Sequence, residues 1–150
     1  EKASILAEEL EWALGSLERA CENLTPEEFK FKPTPVSNSV QWQLNHISRI
    51  LNSALVARIK GVENYAPEGW PADYRGQDYP LEKLMKDIKK GAEVALPMLR
   101  KLSNDALEEE IPMWGGKRQR KIGLFAYIGE VIHHKGQLTY VRGTYKRLNE

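Results

Sequence analysis

IGLFAYIGEVIHHKGQLTYVRGTYK, residues 122–146, carries apolar side chains at helical spacing and two of the chain's three histidines. The spacing predicts a long amphipathic helix. At 100° per residue, Gly123, Ala126, Tyr127, His134, Leu138 and Val141 fall within about 80° of Glu130, so a carboxylate stands in a largely apolar stripe. An unpaired buried charge is costly, and Glu130 must therefore be paired, protonated or bound to a metal. His134, four residues on, lies above Glu130 on the same face. His133 is turned about 100° from His134 and cannot share its ligand direction. The opposite side combines Lys135, Thr139 and Arg142 with Ile128 and Ile132, which reads as a mixed solvent face or a subunit contact.

The third histidine lies in SVQWQLNHI, residues 39–47. A helix is expected from the Ser37-Asn38-Ser39 cluster to Gly61, whose missing Cβ suits a left-handed cap. His46 falls near its middle, one turn from Trp42 and Ile50, at the edge of a stripe of Leu44, Ile47, Leu51, Ala54 and Leu55. Two readings fit that place: an imidazole hydrogen-bonded to a carboxylate of a neighbouring helix, or a metal ligand. A divalent-metal site needs about three protein ligands from two or more backbone elements, with a position left open. His46, Glu130 and His134 would supply them.

Two more helices complete the pattern. From Ala3 to Leu24, Leu6, Leu10, Ala13, Leu14, Leu17, Cys21 and Leu24 recur three and four apart. Thr25-Pro26-Glu27-Glu28 starts a short helical turn, and Lys32-Pro33-Thr34-Pro35 ends it. Residues 62–79 are aperiodic and rich in Gly, Pro, Asp and Tyr, a long loop of the kind that is often functional. Pro80 opens a third helix through Leu84, Ile88, Ala92, Ala95, Leu99 and Leu102, with a kink expected at Pro97. Between Ser103 and Arg120 come a short acidic turn, a Gly-Gly hairpin around Trp114-Gly115-Gly116, and a basic run from Lys117 to Lys121 read as solvated loop. The expected fold is all-α, a four-helix bundle with long connections in a single domain spanning residues 1–150.

Composition excludes several functions. Lys and Arg number 22 against 21 Asp and Glu, a net charge of +1 that gives no field for nucleic acid. No apolar run is long enough for a membrane span, and the start of the chain is not signal-like. One cysteine, Cys21, cannot form an internal disulfide, and a reduced cytoplasmic setting is expected. Cys21 falls in a core stripe and reads as a small apolar residue rather than a nucleophile. There is no G-x-S-x-G turn and no phosphate-cradling glycine loop. Trp42 and Trp70 read as packing residues, and Tyr127 is the aromatic best placed to reach Glu130.

Two stretches resemble a known family. Ser39 to Ile47 is similar to the S-x-x-W-x-x-x-H stretch of the DinB-like superfamily, and His134-Lys135-Gly136-Gln137-Leu138 resembles its H-R-G-Q signature, in the same order and at a matching separation. The resemblance extends over nearly the whole chain. It implies a DinB/YfiT-type four-helix bundle, commonly dimeric, with a divalent metal held by three side chains of the second and fourth helices. Those ligands are usually three histidines; here the matching positions are His46, Glu130 and His134. Exchanging an imidazole for a carboxylate lowers the net positive charge at the metal, and a two-histidine, one-glutamate set suits zinc, nickel, manganese or iron. Lys135 replaces the usual Arg and loses its planar fork. Gln137 is placed to orient a ligand or bound water.

The activity implied is metal-dependent hydrolysis or thiol S-transfer with a low-molecular-weight thiol, acting on a small electrophilic substrate. The alternative is a non-catalytic, stress-related binding or scaffold protein with a degenerate metal site, an outcome that Glu130 favours. A twofold homodimer is expected from the apolar residues left over outside the core, Ile128 and Ile132 on one helix and Leu44, Leu51 and Leu55 on the other.

Overall fold

The computed structural model describes residues 1–150 as an all-α fold. Helix α1 (Lys2–Ala20) buries Ala3, Ala7, Leu10, Ala13 and Leu17 along one stripe. It ends before Cys21 and Leu24, with Asn23 at a positive φ of 55°. Thr25 then caps α2 (Pro26–Lys30): its hydroxyl accepts from the Glu28 N–H at 3.1 Å, while Glu28 Oε1 accepts from the Thr25 N–H at 3.0 Å. Glu28 is itself buried, and its other oxygen accepts from Arg142 Nε at 2.8 Å. Arg142 also donates to the Ala20 carbonyl. Arg142 therefore does not stand on a solvent face, as its wheel position led us to expect. It ties the end of α1 and α2 to the last helix.

The second long helix comes in three pieces. Ser39 caps α3 (Val40–Arg49) by accepting from the Trp42 N–H. A π segment, Ile50–Ala54, follows without a break, then α4 (Leu55–Lys60), closed by Gly61 at φ 75°. Helix α5 (Leu81–Arg100) continues through Pro97 and stops at Arg100. After the short α6 (Asn104–Glu108), strands β1 (Glu110–Met113) and β2 (Gly116–Gln119) pair antiparallel, Ile111 opposite Arg118. Their turn is Trp114-Gly115, both at positive φ, one residue earlier than the Gly-Gly pair. Helix α7 (Arg120–Leu148) completes the chain. Its first residue, expected in a solvated basic run, is buried instead and bonds to the Arg58 and Ala106 carbonyls and to Glu109.

The long helices pack so that α1 lies against α5 and α7, and the α3–α4 rod lies against the same two. Each long helix thus has two neighbours, and its buried arc is broad. This breadth corrects the reading of the leftover apolar residues. Leu44, Leu51, Leu55 and Ile128 are all buried in one core with Leu10, Leu84 and Leu124, and only Ile132 is half-buried. The buried arc of α7 runs through Leu124, Ile128, Val131, His134, Leu138 and Val141, and its centre lies about 90° from Glu130 at 100° per residue. Glu130 therefore stands at the edge of the buried stripe, where α7 faces α3. No helix is long and apolar enough to cross a membrane.

Candidate metal centre

Three side chains meet between α3 and α7. His46 projects from α3, and Glu130 and His134 project from successive turns of α7. Glu130 Oε2 lies 3.0 Å from His134 Nε2 and 3.3 Å from His46 Nε2. One donor atom from each of the three lies within 4.8 Å of the others. The two imidazoles meet edge to face at 4.2 Å between centroids. Depth is graded across the cluster, with side-chain exposures of 9% for His134, 24% for His46 and 43% for Glu130. The cluster opens to solvent on the carboxylate side.

Gln43 and Trp42, on the turn of α3 before His46, hold the two rings. Gln43 Oε1 lies 2.7 Å from His134 Nδ1, in a buried contact where only the imidazole can donate. That bond puts the proton on Nδ1 and leaves the lone pair of a neutral ring on Nε2, aimed at Glu130. Trp42 stacks on His46 at 5.2 Å and 14° between planes, while His46 Nδ1 is buried without a partner. The His46 ring is thus oriented by stacking and by its Nε2 contact with Glu130, with no hydrogen bond at Nδ1. Neither Gln43 nor Trp42 was singled out from the sequence as part of the site, although Gln43, three residues before His46, shares its side of the helix.

The electrostatics of the cluster pull its members apart in charge. Burial pushes the Glu130 carboxyl up, but hydrogen bonds from His46 and His134 outweigh it and hold the group below the usual carboxylate range. Burial lowers His46, and its bond to Glu130 only partly offsets that. An ionised carboxylate beside an imidazole that resists protonation is the donor state a metal requires. With Nδ1 of His134 donating to Gln43, Nε2 donates to Glu130 only when the ring carries both protons; in the neutral ring two acceptors face each other at 3.0 Å, an arrangement that calls for a proton or a cation between them. A tetrahedral ion with bonds of about 2.0–2.1 Å holds its ligands roughly 3.3 Å apart, close to the two carboxylate–imidazole spacings seen here. The residues fit a divalent ion.

Other residues considered in the sequence lie outside the cluster. His133 is exposed and its Nε2 accepts from Gln137 Nε2 at 2.9 Å, so Gln137 touches neither His46 nor His134 through a hydrogen bond. The Tyr127 hydroxyl accepts from Trp114 Nε1 at 3.0 Å, and its ring lies under the Arg58 guanidinium. Cys21 is a free cysteine whose thiol burial pushes up to about 11, so it stays protonated at neutral pH and is no nucleophile.

The chain is all-α and brings a nitrogen–oxygen–nitrogen set of side chains that could hold a metal ion together between two of its long helices. The chain is a member of the DinB superfamily, whose family model matches residues 9–138. No curated protein matches it. Among solved structures it is similar to a conserved protein from Enterococcus faecalis, with a TM-score of 0.71 at 18% identity over 92% of this chain and 93% of that one. It is also similar to a DinB-like protein from Bacillus subtilis, with a TM-score of 0.69 at 19% identity over 94% and 92% of the two chains. These likenesses concern the fold.

Proposed function

We propose that the protein is a cytoplasmic, metal-dependent enzyme that binds one divalent ion through His46, Glu130 and His134. The observation that carries this is the meeting of an ionised carboxylate with two imidazole nitrogens at 3.0 and 3.3 Å, one of them fixed as a lone-pair donor by Gln43. Zinc, nickel, manganese and iron all suit the donor set. Such an ion supplies Lewis acidity, which makes a water or a low-molecular-weight thiol nucleophilic near neutral pH towards a small electrophile, in a hydrolysis or a thiol S-transfer. The chain's own part is positional: Gln43 sets the His134 tautomer, Trp42 sets the His46 ring plane, and the half-exposed Glu130 leaves the solvent side open for a substrate.

A second reading is carried by the same distances. At 3.0 and 3.3 Å the three side chains also form a closed hydrogen-bonded cluster around a shared proton, as a non-catalytic binding or scaffold protein with a degenerate site would have. Elemental analysis of protein purified without a polyhistidine tag separates the two. One metal per chain, lost in His134→Ala, supports the enzyme; metal-free protein with unchanged stability after chelation supports the scaffold. We also carry the twofold homodimer as a proposal. With Leu44, Leu51, Leu55 and Ile128 in the core, pairing would have to use surface such as Ile132, Val36 and Tyr140 along the open groove beside His133.

A further inference from the structure

The loop at 62–79 covers a cavity of about 280 Å³, bounded by the π segment and α5, and none of the three clustered ligands lines it. The apolar and aromatic part of its wall is built from Leu51, Val56, Tyr65, Trp70 and Tyr74, with Val94 at the half-exposed rim. The aromatic wall is fixed in place. Trp70 stacks on Tyr74 at 4.1 Å and 17°, and the buried Tyr74 hydroxyl donates to Asp87 Oδ2 and meets Ser48 Oγ, both at 2.7 Å.

Glu68, Lys83, Asp87 and Lys90 also line the cavity, and Asn52 is its uncharged polar side chain. It lies in the π segment, and Gly91 on α5 lets its amide approach so closely that a Cβ at 91 would sit 2.8 Å from its nitrogen. Nδ2 donates to the Ser48 and Asp87 carbonyls, each at 2.9 Å, which uses both of its protons. Asn52 is 6% exposed and lines the cavity, yet its Oδ1 accepts no hydrogen bond from the protein. That oxygen is not among the sealed, partnerless atoms of the protein, so it stays open to a donor on a molecule that enters the cavity. Water can satisfy that oxygen but leaves the aromatic walls wet, whereas a flat ring with one donor satisfies both. π turns are frequent at functional sites, because the extra residue re-aims a side chain.

We propose that this cavity is a second small-molecule site, separate from the metal centre, for a flat aromatic molecule carrying one N–H or O–H group, of the indole or phenol class. The ring packs against Trp70 and Val56, and its donor meets Asn52 Oδ1. The volume, at the small end of the range for ligand pockets, suits one bicyclic ring.

The test uses the four tryptophan indole resonances of the ¹⁵N-labelled protein, assigned through single Trp→Phe variants. Trp70 reports the cavity, and Trp42, stacked on His46, reports the metal centre. Indole is expected to shift the Trp70 resonance saturably and leave Trp42 in place. Benzofuran, the same shape without the N–H, is expected to bind roughly tenfold more weakly. Val94→Phe, which fills the mouth from an exposed position, is expected to abolish the response without lowering the melting temperature. No saturable Trp70 shift, equal affinity for the two probes, a shift at Trp42 instead, or binding that survives Val94→Phe would each overturn the proposal.

Discussion

Gln43 Oε1 accepts the Nδ1 proton of His134 at 2.7 Å, so a residue that touches no metal position determines which nitrogen of His134 faces Glu130. Partners of this kind fix both the tautomer and the ring plane of a ligand histidine.

Replacing Gln43 by Leu is therefore expected to weaken metal binding by about 10- to 100-fold while leaving the helical fold intact. Competition with a chelator measures it, with circular dichroism as the check on folding. Gln43→Glu, which keeps the acceptor, should restore most of the affinity. Equal affinities for all three proteins would show that the bond does not organise the site.

Glu130→Gln keeps the shape of the ligand and removes its charge. Metal affinity should fall, because a neutral amide oxygen is a far weaker donor to a divalent cation than a carboxylate. Titration calorimetry on the tag-free protein reads this directly, and an unchanged affinity would remove Glu130 from the ligand set.

The buried pair Glu28–Arg142 should give the fold an acid-sensitive component. Burial raises the Glu28 carboxyl, but the bonds from Arg142 and Thr25 outweigh it and bring the group below the ordinary carboxylate value. Since the folded value is the lower one, this stability is fully present above the unfolded value of about 4.3 and is lost as pH falls through the folded value. Unfolding free energies from urea titrations of the wild type and Glu28→Gln should therefore differ at pH 7, by about 3 kcal/mol for a broken buried pair, and converge only as the pH falls through the lowered folded value. A constant difference across that window would mean the ion pair contributes nothing as a pair.

Gly91→Ala tests the contact between α5 and the π segment. In an exposed helix interior this change stabilises by up to about 1 kcal/mol. Here the new methyl carbon would stand 2.8–3.0 Å from the Asn52 amide, which is held by two hydrogen bonds. Overpacking should reverse the sign and destabilise the protein by roughly 1–3 kcal/mol, seen as a lower melting temperature.

Much of this arrangement was legible in the sequence, and the rest was hidden for identifiable reasons. The spacing of Glu130 and His134, the place of His46 on a second amphipathic helix and the two motif stretches led to the three residues that the fold brings together. The wheel centred on Glu130 misplaced it, because it took a half-exposed carboxylate for the middle of the buried arc. The same error pushed Ile128 outward, and only the packing of α7 between α1 and the α3–α4 rod shows that the arc is broad enough to include it. Arg142 looked like a solvent residue since its partner, Glu28, lies 114 positions away in sequence. Gln43 carried no distinguishing signal beyond its distance from His46. The π segment had none that periodicity detects, as ILNSA reads equally well as α-helix.

That π segment acts as a phase adjuster between two working parts of one rod. His46 precedes it and faces α7; Arg58 follows it, with its stem over Gly123 and its guanidinium on the Val62 and Glu63 carbonyls. Removing a single residue between 50 and 54 would restore plain α-helix and turn one end about 100° against the other. Either His46 would leave the crevice or Arg58 would leave its seat, so the two cannot both be kept in a rod one residue shorter.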